Sequence, residues 1–154
     1  MAEGKLFLGI DIGSVSIKTA VLDESRSLRS DTYTRIKGDP RGALAEALAA
    51  LASRFPGNRI AAAAITGSGG KKAAASIGAL FVNEILAQAA FAHSFHPAAR
   101  TIIEMGGEDA KLIVPGTERD GSPKIEDFSM NAACAAGFAL TRAFLTFCQT
   151  RTGS

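Results

Sequence analysis

The feature that most limits how this chain can fold is a short pattern used twice. Ile10-Asp11-Ile12-Gly13 and Ile103-Glu104-Met105-Gly106 each read as an apolar strand ending in acid-X-Gly, and Lys18 and Lys111 each follow five residues after the glycine. Every matched position is offset by 93 residues. An apolar strand that meets a glycine turn and runs on into a second apolar stretch folds back as a hairpin. The chain is therefore expected to open with one hairpin and to build a second on the same plan, and a duplicated unit implies a cleft between the copies.

Around these hairpins the pattern alternates. Lys5 to Ile10 reads as a buried strand, Asp11-Ile12-Gly13-Ser14 as a turn and Val15 to Leu22 as a second strand, with a third over Tyr33 to Ile36. Gly42 to Phe55 carries Leu44, Leu48 and Leu51 at helical spacing. Ile60 to Ile65 is a strand, Thr66 to Gly70 a flexible tip, and helices are expected from Lys71 and over Asn83 to His93. Thr101 to Met105 and Leu112 to Val114 form the second strand-turn-strand, Lys124 to Phe128 is a further strand, and Ala132 to about Cys148 reads as helix. That order is α/β.

Composition removes several classes of function. A surplus of +2 excludes a strongly polybasic nucleic-acid binder, and 47% hydrophobic against 21% charged residues excludes a disordered chain. No apolar run approaches the roughly 18 residues of a membrane span. The N-terminus enters its first strand without the apolar region and cleavage site of a signal peptide, so a cytoplasmic location is expected. With 29 alanines and no Trp, the core must rely on close backbone approach more than on large side chains.

Chemistry concentrates at the turns. The N–H groups of Gly13, Ser14 and Val15 can converge on one anion as a backbone nest, Ser14 and Ser16 add hydroxyls, and Lys18 is the nearest cation. Asp11, at a strand's carboxyl end, suits the water shell of a magnesium ion, which takes few protein oxygens. Spacing alone equally allows a plain β-turn with a solvated Asp. Gly106-Gly107-Glu108-Asp109 offers the same pair of opportunities, amides for a phosphate and carboxylates to orient water or hold a metal, and Lys111 repeats the cation, although taken alone this motif reads first as an exposed turn. Two such turns suit phosphoryl transfer, where positioning and electrostatics do most of the work.

Gly67-Ser68-Gly69-Gly70-Lys71-Lys72 fits neither the P-loop nor the dinucleotide fingerprint, which leaves it at most a contact with an anion. Cys134 stands among small residues where the last helix is expected to begin. A helix N-terminus lowers a thiol's pKa, and a buried small residue is the competing reading. Cys134 and Cys148 do not form a Cys-X-X-Cys pair.

Gly9 to Lys18, Thr66 to Gly70, Phe81 to Ile85, Arg100 to Ile113 and Asn131 to Gly137 together resemble the ATPase activators of 2-hydroxyacyl-CoA dehydratases. They are especially similar to the longer, fused activase-like members, whose second turn reads Gly-Gly-Glu-Asp. ATPase subunits of benzoyl-CoA reductase belong to the same family. The resemblance implies an actin/hexokinase/Hsp70-like (ribonuclease H-like) fold, with a first lobe over 1–98 and the start of a second lobe over 99–137. It further implies ATP or ADP with magnesium in the cleft, Asp11, Glu108 and Asp109 as catalytic carboxylates, and Gly13 to Lys18 and Gly106 to Lys111 as the phosphate loops. Cys134 would ligate a [4Fe–4S] cluster shared across a homodimer, and hydrolysis would drive a low-potential electron into a dehydratase or reductase partner.

The likeness covers residues 6 to 137. From Phe138 to Ser154 the sequence departs from the family's pattern, and neither its second cysteine nor its adenosine-binding segment is present. The expectation is a first lobe with an incomplete second lobe, a divergent tail over 138–154, and impaired activity. The alternatives are a small-molecule kinase of the same fold, which would have no use for Cys134, and a lobe without catalysis.

Overall fold

The computed structural model describes residues 4–105 and 110–131. The chain divides into two compact units, Met1–Glu84 and Ile85–Ser154. The first contains β1 (Leu6–Ile12), β2 (Ser16–Asp23), β3 (Leu28–Arg35), α1 (Pro40–Ala52), β4 (Ile60–Thr66), α2 (Gly70–Ile77) and β5 (Leu80–Phe81). Its sheet runs in the order β3-β2-β1-β4-β5. β2 pairs antiparallel with both β1 and β3, whereas β4 lies parallel to β1 and to β5.

The alternation of side chains along a strand decides which face is covered. Leu6, Ile10 and Ile12 of β1 are buried, and so are Ile17 and Val21 of β2 and Ile65 of β4. Against them α1 places Ala43 and Ala47, and α2 places Ala74. The core thus sets isoleucines of the sheet against alanines of the helices. A fully buried isoleucine is worth about 1.5–3 kcal/mol, and an alanine opposite it lets the helix backbone come close. This corrects the expected leucine stripe: α1 buries Ala43, Ala47 and Leu51, while Leu44 and Leu48 flank that row and are only partly buried.

Local chemistry shifts several expected boundaries. Asp11 and Ile12 lie inside β1, paired with Lys18 and Ile17, so the turn shrinks to Gly13-Ser14-Val15. Asp39-Pro40 starts α1 as well as ending the strand before it: the Asp39 carboxylate accepts the Gly42 N–H at 2.9 Å and Pro40 occupies the first turn. β5 went unread because two residues carry no periodicity.

The second unit holds α3, which begins at the boundary residue (Glu84–Phe95), and the sheet of β6 (Ile102–Met105), β7 (Ala110–Thr117) and β8 (Pro123–Asn131). That sheet is antiparallel in the order β6-β7-β8. The three-stranded meander β1-β2-β3 therefore has a counterpart in β6-β7-β8, as the repeated pattern leads one to expect. The helix expected over Ala132 to Cys148 and the tail over 138–154 lie outside the described residues. Among the described residues no helix is long and apolar enough to cross a membrane.

Candidate functional site

In the first unit the pairing register assembles a row of polar side chains across four strands. Asp11 sits between two inward-facing isoleucines, Ile10 and Ile12, so alternation turns it to the opposite face of the sheet. Its partner on β2 is Lys18, whose own partner on β3 is Tyr33, and its partner on β4 is Thr66. Tyr33, Lys18, Asp11 and Thr66 lie side by side. Because β1 and β4 run parallel and both end here, the row marks the carboxyl edge of the sheet, where open α/β sheets bind their ligands.

Lys18 Nζ stands 3.1 Å from Asp11 Oδ2, with the two side chains 58% and 34% exposed. A pair so open to water contributes only about 0–1 kcal/mol. Either member can therefore exchange its partner at small cost.

The adjoining turn behaves differently from a free nest of three amides. The Gly13 N–H is donated to the Ser16 carbonyl at 3.0 Å and closes the hairpin, and the Val15 carbonyl accepts from Ile36 N–H at 3.0 Å. Among the described residues no hydrogen bond uses the N–H of Ser14 or Val15, and both residues are exposed. The unused donors of this turn are those two amides and the Ser14 hydroxyl, whereas Ser16 is buried.

The glycine-rich loop packs on the same edge. Gly69 N–H bonds the Ile12 carbonyl at 3.1 Å, and Gly70 N–H bonds the Gly67 carbonyl at 2.9 Å. Gly67 has φ +95°, and a Cβ there would overlap the Ile12 carbonyl and approach Asp11 Oδ1 to 2.7 Å. One carboxylate oxygen of Asp11 thus faces Lys18 and the other faces the loop backbone. Thr66, the residue before that glycine, keeps a buried hydroxyl with no hydrogen-bond partner among the described residues. Reading the sequence placed Thr66 in a flexible tip. The signal that could have found it is its position at the end of an apolar run just before Gly67.

The second unit repeats the cross-strand pair. Glu104 and Lys111 are register partners on β6 and β7, and Lys111 Nζ lies 2.9 Å from Glu104 Oε2. Here the lysine is 6% exposed and the glutamate 30%. Lys111 is held inside its hairpin, with its ammonium already engaged. Gly106, Gly107, Glu108, Asp109 and Cys134 lie outside the described residues. Among the described residues no cluster of three or more His, Cys, Asp and Glu side chains is placed to hold a metal ion. Asp11 stands as a single carboxylate, which matches the sparse protein contribution that magnesium takes.

Two other carboxylates titrate low for local reasons. Asp23, at the β2–β3 turn, is held below its ordinary value by the Ser25 hydroxyl and by the backbone around Ser27. Asp120, in the β7–β8 turn, is lowered by the Ser122 hydroxyl and N–H. Both are turn-closing groups, and Asp23 pairs with Leu6 at the end of β1 opposite Asp11.

No family model matches the chain. It is 32% identical over 133 residues to the activator of lactoyl-CoA dehydratase from Anaerotignum propionicum, covering 84% of this chain and 48% of the relative. Component A of (R)-2-hydroxyglutaryl-CoA dehydratase from Acidaminococcus fermentans superposes with a TM-score of 0.69 at 26% identity, over 86% of this chain and 49% of that one. The activator of 2-hydroxyisocaproyl-CoA dehydratase from Clostridium difficile, solved with bound ADPNP, gives 0.67 at 25% identity over 86% and 47%. The chain spans about half the length of the curated relatives it matches. Sequence and fold point to the same relatives: over its matched length the chain is similar to the activators of 2-hydroxyacyl-CoA dehydratases and shares their actin-like fold.

Proposed function

We propose that this chain binds ATP with magnesium at the carboxyl edge of its first sheet, and that hydrolysis serves to drive a low-potential electron into a dehydratase or related reductase. The observation that carries the reading is the Lys18-Asp11-Thr66 row beside a turn whose exposed Ser14 and Val15 donate no backbone hydrogen bond among the described residues. The donor set suits the group: backbone amides and an ammonium for phosphate oxygens, and one carboxylate for a hydrated divalent ion. Magnesium, when bound, neutralises phosphate charge. Asp11 orients that ion's water shell, Ser14 and Val15 hold phosphate oxygens, and Lys18 leaves Asp11 to balance the remaining charge. The second turn, Gly106 to Asp109, is the other phosphate grip in this reading, with Glu108 and Asp109 orienting the attacking water.

The finer parts of the family resemblance belong to the same proposal. They are a homodimer, a [4Fe–4S] cluster to which Cys134 contributes a ligand, and a cytoplasmic location. Titration calorimetry tests the nucleotide step directly. The residues assigned here grip phosphates and not the base, so an affinity of roughly hundreds of micromolar, about −5 kcal/mol, is expected. It should require magnesium and be lost in Asp11→Ala. Tight binding that Asp11→Ala leaves untouched would reject the reading.

A further inference from the structure

Thr66 presents a contradiction within the fold. Its hydroxyl is buried and has no hydrogen-bond partner among the described residues, a condition that native structures avoid and that calls for a reason where it occurs. Valine would fill nearly the same space without leaving a polar atom unsatisfied. Yet the hydroxyl stands in register beside Asp11, on the strand whose end carries Gly67 against Asp11 Oδ1. The other carboxylate oxygen, Oδ2, is taken by Lys18.

These positions describe a carboxylate with one donor in place and a second in reserve. The donor in place is the exposed one, and in the sequence it is the first cation after Ser14 and Val15. A phosphate in that turn competes with Asp11 for Lys18. Once Lys18 turns away, Asp11 needs another donor to hold its orientation, and Thr66 is the adjacent side chain able to supply one. Building on the nucleotide reading above, we propose that Thr66 is a positioning residue of the phosphate site, whose hydroxyl takes over the Asp11 carboxylate when Lys18 moves to a bound terminal phosphate. The orphaned hydroxyl is then satisfied only in the loaded state, and its cost falls on the empty one. Gly67 keeps the loop close to Asp11 in both.

The proposal separates two properties that a purely structural role would move together. The 154-residue chain and its Thr66→Val, Thr66→Ser and Asp11→Ala variants are melted without ligand, then titrated with magnesium–ADPNP and magnesium–ADP. Thr66→Val should melt at the same temperature or a few degrees higher, because it removes an unsatisfied polar atom. It should bind ADPNP about tenfold more weakly, with a smaller loss for ADP, whose missing terminal phosphate leaves Lys18 on Asp11. Thr66→Ser keeps the hydroxyl and should recover most of the ADPNP affinity.

Wild-type ADPNP affinity in Thr66→Val overturns the proposal, as do equal losses for both nucleotides or an affinity that Ser fails to restore. A lower melting temperature in Thr66→Val overturns the claim that the hydroxyl is idle in the empty state. If Asp11→Ala loses binding while Thr66→Val does not, the nucleotide reading stands and Thr66 is excluded. If the wild-type chain binds neither nucleotide, the nucleotide reading fails and takes this proposal with it.

Discussion

Replacing Gly67 by alanine tests whether the β4–α2 loop is built against Asp11. Two costs add at this position. A residue with a Cβ at φ +95° is in a region that L side chains rarely adopt, worth about 1–3 kcal/mol. The new Cβ would also overlap the Ile12 carbonyl and lie 2.7 Å from Asp11 Oδ1, so the end of β1 or the loop must move. A total of about 2–4 kcal/mol is expected, because backbone on both sides limits relaxation. Two other glycines supply the scale. Gly13 has no left-handed φ, and a Cβ there would meet only the Ser16 carbonyl at 3.4 Å, so Gly13→Ala should cost well under half as much. Gly57 has nothing within 4 Å and no left-handed φ, and Gly57→Ala should be neutral or stabilise by about 0.4–1 kcal/mol through the unfolded chain. Urea unfolding of the three variants, compared at a common slope, gives the ranking. Gly67→Ala within about 0.5 kcal/mol of wild type, or less damaging than Gly13→Ala, would refute the packing of this loop on Asp11.

The two cross-strand lysines should also part company. Lys18→Met is expected to change stability by less than about 1 kcal/mol, since its ion pair is open to water. Lys111→Met should cost about 2 kcal/mol or more by leaving a half-buried Glu104 unpaired, and the same urea series measures both. In a carboxyl NMR titration Asp23 should protonate below the ordinary 3.8, and Ser25→Ala should raise it toward that value, because the Ser25 hydroxyl is the largest cause of the lowering. The sign follows from the depressed value: the contribution of this turn is complete above pH 3.8 and is lost as the pH falls through the folded-state value.

How much of this could be read in advance depended on whether the relevant neighbours were close in sequence. The hairpin β1-β2 and its repeat in β6-β7 were legible because glycine, acid and lysine all lie within nine residues of one another, and turn chemistry is local. The helix over Pro40–Ala52 was legible from its spacing, but its buried row was not. Leucines dominate the pattern by hydropathy, whereas the sheet of isoleucines left room only for Ala43 and Ala47 at the closest approach. Thr66 and Gly67 were the larger omission. Their role depends on β4 pairing parallel to β1 in a register that sets Thr66 opposite Asp11, and no feature of the intervening 54 residues encodes that register in a way that periodicity detects. Reading Gly67 to Gly70 against known phosphate fingerprints asked whether the loop binds an anion by itself. The structure instead makes it the neighbour of a residue that was already a candidate.

The duplicated hairpin also shows how one local plan can serve two ends. In both copies an acid two residues before a glycine in the sequence pairs across the ladder with a lysine, and the distances, 3.1 Å and 2.9 Å, are nearly the same. Burial sets them apart. Lys18 is 58% exposed and gives up little on leaving Asp11, so its charge can follow a ligand that comes and goes. Lys111 is 6% exposed, and its pair with Glu104 lies in a setting where water compensates poorly for a broken contact. Lys111 thus ties β6 to β7 through Glu104. The more exposed of the two lysines belongs to the first hairpin, in register with Asp11 and Thr66. A Lys18→Met chain should accordingly lose nucleotide affinity while keeping its fold, and a Lys111→Met chain should lose fold stability first.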